Sequence, residues 1–157
     1  MSTIVIHPLK REEAKEVSDL IRRVLLEVNI RDYALEDLRQ FVDFYSPEEV
    51  RSLSERGHSY VAVDGEEILG CASICPYETE GESIIEAFYV RPDREGQGIG
   101  RRLLATLEAD ELFLTTRRTV ISASITAHAF YHKLGYDYVG GVPVCEDNDH
   151  YWVEKVR

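Results

Sequence analysis

The stretch Ile84-Ile85-Glu86-Ala87-Phe88-Tyr89-Val90-Arg91-Pro92-Asp93-Arg94-Glu95-Gly96-Gln97-Gly98-Ile99-Gly100-Arg101-Arg102-Leu103-Leu104 decides the reading of this chain. A nearly all-apolar run, taken as a strand from Ser83 to Val90, stops before a proline. Three alternating glycines follow, and an amphipathic helix, expected from Gly100 to about Leu114, begins at once. Glycine lets the backbone turn tightly and leaves N–H groups open to a ligand, because no Cβ stands in the way. The orphan amides of a helix N-terminus then favour an anion. Between Arg91 and Arg102 four arginines stand against Asp93 and Glu95, a local excess of two positive charges. Together these features point to a ligand that carries phosphate.

Two other phosphate motifs do not fit. No Gly-Lys-Ser/Thr follows, so the loop is not a P-loop. The glycines read GxGxG, not GxGxxG, and about 20 residues on, where a dinucleotide fold needs an acidic residue, Arg117 and Arg118 stand instead.

The length of 157 residues suits one domain, 1–157, with a core of its own. No run approaches the roughly 20 apolar residues of a membrane span. Met1 to His7 has no basic segment followed by an apolar one. The expectation is a cytoplasmic protein without a membrane partner. A net charge of −11 argues against nucleic acid as the main partner and suits a cationic amine. Cys71, Cys75 and Cys145 form neither a disulfide framework nor a zinc motif, and Cys71 and Cys75 read as small core residues.

Outward from the glycine loop, the chain reads as alternating strands and helices. Thr3 to His7 is a short strand. Val17, Leu20, Ile21, Val24, Leu25 and Val28 recur at helical spacing from Arg11 to Glu27. A helix covers Ala34 to Phe44. Another starts at Ser46-Pro47-Glu48-Glu49, where serine caps, proline takes the first position and Glu49 closes a capping box. After Gly57, Ser59–Val63 and Ile68–Cys75 are strands joined at Asp64-Gly65. Thr119–Ser124 is a strand and Thr126–Leu134 a helix ended by Gly135. Tyr136–Val142 and His150–Val156 are the last strands, joined through Glu146-Asp147-Asn148-Asp149. The expected fold is α/β: a single mixed, mostly antiparallel sheet of about seven strands with helices on both faces.

Glu95-Gly96-Gln97-Gly98-Ile99-Gly100 resembles the cofactor motif [QR]-x-x-G-x-[GA] of the GNAT superfamily of N-acetyltransferases. Gly98 and Gly100 match it, and Glu95 departs from the usual Gln or Arg. The side chain facing the pyrophosphate is then a carboxylate, with Arg94 and Arg101 as substitutes; backbone contacts do not depend on it. The family's second signature, a strand and then a helix with a tyrosine before Gly-Phe, is matched by Ser124-Ile125-Thr126-Ala127-His128-Ala129-Phe130-Tyr131-His132-Lys133-Leu134-Gly135-Tyr136. Ala127, Tyr131, Gly135 and Tyr136 fall in register, and Ser124 replaces the usual Asn. The resemblance covers Ser59 to the C-terminus. The wording Ala123-Ser124-Ile125-Thr126-Ala127 is similar to the YafP-like bacterial branch.

The resemblance implies acetyl-CoA as donor, bound where the fourth and fifth strands splay, with its pantetheine arm on the backbone of Phe88, Tyr89 and Val90. It implies cofactor contacts from Glu95, Gly96, Gln97, Gly98, Ile99, Gly100, Arg101 and Ser124. Tyr131 is the candidate acid, since a phenol is protonated at neutral pH and can donate. Glu86 is the candidate base: it is the only acid inside an apolar strand, where burial raises a carboxyl pKa. Strand alternation puts it on the face of Ile84 and Phe88. The open alternatives for Glu86 are a solvent-facing or arginine-paired carboxylate; those for proton removal are Glu82 and a water chain.

Tyr33, Phe41, Phe44 and Tyr45 sit where the family's first helices overhang the acceptor, though core packing explains them equally. His128 and His132 stand four apart without HExxH, and no metal is expected. Cys145 is a conceivable acyl-carrying nucleophile, but nothing nearby is read as forming a Cys-His pair with it. The expected activity is direct acetyl transfer from acetyl-CoA to a primary amine of a small molecule. The alternatives are a CoA-binding regulatory or interaction module without catalysis, and an acetyltransferase of protein N-termini. A homodimer is implied by resemblance only.

Overall fold

The computed structural model describes residues 3–145 and 150–157; the acidic connection read at Glu146 to Asp149 lies outside the described residues. Seven strands form one open sheet: β1 (Ile4–Pro8), β2 (His58–Asp64), β3 (Glu67–Pro76), β4 (Glu82–Val90), β5 (Arg118–Ser124), β6 (Asp137–Tyr138) and β7 (His150–Val156). Their order is β1-β2-β3-β4-β5-β7-β6. The β4–β5 pair is parallel and the remaining pairs are antiparallel, as the expected fold class has it.

The sheet separates two apolar layers. Helices α1 (Ala14–Glu27), α2 (Leu35–Phe44) and α3 (Pro47–Arg56) bury Val17, Ile21, Val24, Leu38, Val50 and Leu53 against one face. Helices α4 (Ile99–Glu108), α5 (Glu111–Leu114) and α6 (His128–Lys133) cover the other. There Ile99, Leu103, Leu104 and Leu107 are all buried, and each stabilises the fold by about 1.5–3 kcal/mol.

Four local expectations change. The helix read to Leu114 breaks after Glu108, because the Asp110 carboxylate accepts from the Leu112 amide at 2.8 Å and caps a separate turn, α5. The strand read from Tyr136 to Val142 pairs only at Asp137 and Tyr138, since the chain turns at Gly140 and Gly141. The short helix read from Thr126 begins at His128. At α3 the Ser46 hydroxyl accepts from the Glu49 amide at 3.2 Å, but the capping box stays half-made. The Ser46 amide bonds the Phe44 carbonyl, and the Glu49 carboxylate takes Arg56 at 3.0 Å.

The β4–β5 pair positions everything that follows. Pairing runs only from Glu82↔Arg118 to Ile85↔Ile121. Beyond it, Glu86–Val90 and Ser122–Ser124 diverge without a shared ladder. A bulge marks the departure: Glu86 pairs with Ser73 and Tyr89 with Cys71, so two β4 residues oppose Ala72 alone. Ala87 takes a positive φ of 53° there.

Candidate active site

The divergence of β4 and β5 opens a cleft of about 630 Å³ through the sheet. Phe88, Tyr89 and Val90 line one side, Ser122 to Ser124 the other, and Glu95, Gly100 and Tyr131 the end toward α4 and α6. Because no ladder joins these strand halves, β4 turns peptide groups toward the cleft with no strand partner on that side. An extended ligand with amide groups can pair there.

At the glycine loop, Gly96 and Gly98 have φ of 81° and 76°, and a Cβ at either would meet nothing within 4 Å. They are glycine for conformation, not for lack of room. A left-handed residue costs other amino acids about 1–2 kcal/mol. Gly98 caps α4, and the first backbone bond into the helix runs from the Arg102 amide to the Gly98 carbonyl at 3.0 Å. The amides of Ile99, Gly100 and Arg101 precede it and have no intrahelical acceptor. Open space, orphan amides and a helix N-terminus fit a pyrophosphate.

The basic excess around this loop is smaller than the sequence implies. Arg91 is bound to Asp93 at 2.8 Å. Arg94 reaches Asp64 at 3.0 Å and the Gln97 side-chain oxygen at 3.2 Å. Arg102 donates to the Ile4 carbonyl at 3.0 Å. Of the four arginines, only Arg101 is without a hydrogen bond or ion pair among the described residues. Arg94 is therefore committed to the β2–β3 hairpin, and Arg101 is the one of the four whose guanidinium is not so engaged. Glu95 is exposed at the cleft mouth.

Tyr131 is 3% exposed and lines the cleft. Phe88 and Phe130 pack edge-on against its ring, at centroid distances of 5.6 and 5.3 Å. Burial raises its pKa well above the ordinary phenol value, so the hydroxyl stays protonated. Among the described residues no partner holds that hydroxyl.

Glu86 is half-buried on β4 and lines the same cleft. Burial raises its carboxyl pKa, with Arg56 opposing and Glu49 adding to the rise. It shares a face with Ile84, as alternation requires, but not with Phe88. The bulge at Ala87 turns Phe88 into the α4–α6 layer, while Ile84 stays in the α1–α3 layer. This corrects the expected alternation. Glu86 and Tyr131 consequently reach the cleft from opposite layers of the sheet. Glu82 is engaged elsewhere, with Arg118 at 3.2 Å and Arg117 at 3.8 Å.

Tyr33, Phe41 and Tyr45 line the α1–α2 side of the cleft, joined by His150 from β7. Phe44 is 54% exposed and does not line it. Tyr45 stacks edge-on with Tyr89 at 5.9 Å, and burial with the nearby Glu86 charge raises its pKa. The Tyr33 hydroxyl accepts from the Ile125 amide at 3.0 Å, fixing the chain just after Ser124. The sequence offered no signal for His150, whose place follows from its pairing with Ser124. His128 bonds the Tyr138 hydroxyl at 2.7 Å and stacks on Tyr151, and His132 bonds the Tyr136 carbonyl at 3.0 Å. Cys71 and Cys75 are buried and Cys145 is exposed. Burial lifts the thiols of Cys71 and Cys75 to about 12 and about 11.

The family model described as an acetyltransferase (GNAT) domain matches residues 55–138. A curated relative, an amino-acid acetyltransferase of Ralstonia nicotianae, is 32% identical over 115 residues, which are 66% of this chain and 25% of that protein. The chain thus spans about a quarter of that relative's length. Solved structures show the same fold. An N-acetyltransferase of Thermoplasma acidophilum in complex with coenzyme A superposes with a TM-score of 0.81 at 19% identity, covering 100% of both chains. A GNAT acetyltransferase of Brucella melitensis in complex with acetyl-CoA gives 0.69 at 18% identity, over 98% of this chain and 87% of that one. No helix among the described residues is long and apolar enough to cross a membrane. With the family model matched over more than half of its residues, the chain belongs to the GNAT family of acetyltransferases.

Proposed function

We propose that this protein transfers an acetyl group from acetyl-CoA directly to a primary amine of a small molecule, acting as one catalytic unit in the cytoplasm. The observation that carries the reading is the convergence, on one cleft, of a protonated buried phenol, a half-buried carboxyl and an unpaired strand edge. Acetyl-CoA supplies the activated acetyl thioester. The amides of Ile99, Gly100 and Arg101 and the Arg101 guanidinium hold its phosphates, and Phe88–Val90 and Ser124 hold its amide-bearing arm.

Glu86 takes the proton of the attacking amine. Its raised pKa brings it nearer to neutrality, where a base is most effective. A backbone N–H of the diverged β4 segment stabilises the negative charge that develops on the acetyl oxygen. Tyr131 donates its proton to the departing sulfur. Positioning both reactants along the cleft supplies much of the acceleration. The buried cysteines are protonated at neutral pH, and so poor nucleophiles, which favours direct transfer over an acetyl-enzyme.

The test is thiol release from acetyl-CoA against a panel of amines, with acetyl-CoA binding followed separately by calorimetry. Turnover with at least one amine supports the reading. Tight acetyl-CoA binding without turnover of any amine supports a non-catalytic CoA-binding module instead.

A further inference from the structure

We propose that the acceptor is a free α-amino acid with a large apolar side chain, held by its carboxylate at Arg56 and by its side chain at Tyr77 and Trp152. This rests on the function proposed above and adds the substrate class. A second opening, of about 530 Å³, lies beside the cleft and shares Ile84 and Glu86 with it. Its other walls are Arg56, Cys75, Pro76, Tyr77 and Glu78. Tyr77 in turn borders a hollow of about 160 Å³, formed with Trp152, Val142 and Val144 and with Arg118 at its wall. The three openings therefore adjoin, in the order Glu86, Arg56, Tyr77 and Trp152.

Each of these places answers to a different part of one molecule. Glu86 receives the amine. Arg56 offers the cation: its Nη1 donates to the Ser52 hydroxyl at 2.6 Å and its Nη2 to Glu49 at 3.0 Å. Those bonds fix the guanidinium and use two of its five N–H donors, leaving the rest for a carboxylate. The side chain stays 50% exposed at the rim. Gly57 makes this placement possible. A Cβ there would lie 2.2 Å from the Ile74 carbonyl oxygen and 2.8 Å from the Cys75 Sγ, so only glycine lets the end of α3 press against β3. The Tyr77 and Trp152 rings, with centroids 6.4 Å apart and planes inclined at 44°, form an aromatic corner. Val142 and Val144, 58% and 55% exposed, extend it outward, where an aliphatic or aromatic side chain can bury them.

Trp152 is the only tryptophan of the chain and reports on the hollow directly. The experiment titrates leucine, leucinamide, 3-methylbutylamine, glycine and spermidine into the protein with coenzyme A present, reading tryptophan fluorescence. Thiol release from acetyl-CoA is measured in parallel. Leucine is expected to change the emission saturably and to bind about tenfold or more tighter than leucinamide or 3-methylbutylamine, as loss of one charge-assisted contact requires. Glycine and spermidine are expected to leave the emission unchanged over the same range. In Arg56→Ala the leucine-to-leucinamide ratio is expected to fall toward one. In Tyr77→Ala both bind more weakly and the ratio persists.

The wild-type comparison needs no variant, so a misfolded Arg56→Ala does not remove the test. Equal binding of leucine and leucinamide, an unchanged Trp152 signal, or a preference for spermidine overturns the proposal. If another amine is turned over, the acetyltransferase reading stands and this one fails. If acetyl-CoA neither binds nor reacts with any amine, the acetyltransferase reading itself fails.

Discussion

Strands β4 and β5 start as a paired ladder and then part, so that each has a closed and an open half. In the closed half, from Glu82 to Ile85, polar side chains tie them together. The buried Ser83 hydroxyl meets Thr119 at 2.8 Å and Thr116 at 3.0 Å. Arg118 bridges Glu82 at 3.2 Å and Glu154 at 2.7 Å, linking β4, β5 and β7. In the open half, from Glu86 onward, no such contact crosses among the described residues, and the bulge at Ala87 turns β4 aside. The cleft, Glu86 and Tyr131 all lie at the open half. The closed half is held by its ladder and these side-chain bonds, and the open half, without that pairing, is the proposed ligand site.

This division separates activity from stability, and four substitutions probe it. Tyr131→Phe, in the open half, removes the proposed acid without removing its ring. It is expected to lower kcat about 100-fold or more, with acetyl-CoA affinity and melting temperature nearly unchanged by calorimetry. Glu86→Gln is expected to lower kcat/KM by about tenfold to 100-fold, a smaller loss because water can relay the proton. The pH profile gives the sign. A base must be ionised to act, so wild-type activity falls as pH drops through the raised pKa of Glu86, and Glu86→Gln flattens that limb.

The same residue gives a stability check. A carboxyl whose pKa rises on folding favours the protonated fold, so its cost appears as pH climbs from the ordinary value of 4.5 through the raised one. Glu86→Gln is therefore expected to melt no lower than wild type at pH 7, with any advantage gone below that ordinary value. A lower melting point at pH 7 contradicts the raised pKa.

Gly98→Ala forces a side chain into a left-handed conformation costing about 1–2 kcal/mol. The expected result is a KM for acetyl-CoA raised several-fold with little change in kcat. Ser83→Ala, in the closed half, is expected to cost about 1 kcal/mol in denaturant unfolding and to leave kcat within experimental error. A large kcat loss there shows that the two halves are coupled.

Much of this arrangement is legible in the amino-acid order, and the parts that are not share a physical reason. The glycine loop is legible because a positive φ and an open helix end demand particular residues in a row. Tyr131 is legible because its motif is local, and α3 announces itself through Ser46 and Pro47. What hides is long-range. Nothing in Arg94 says that Asp64 and Glu67, some 30 residues back, will claim it. The bulge falls on an alanine, which gives no sign of a positive φ, and it reverses the face of Phe88. The break between α4 and α5 depends on one side-chain cap at Asp110, which also holds His58 and Tyr60 from β2. Arg56, Tyr77 and Trp152 come from three elements far apart in sequence and meet only through the sheet.

Amide hydrogen exchange, measured with and without acetyl-CoA, tests most directly whether the open half is the donor site. The expected result is new protection at Glu86–Val90 and at Gly96–Arg101, with Glu82–Ile85 already protected and unchanged. Protection absent from the open half, or spread equally over both halves, contradicts the division on which the proposed mechanism stands.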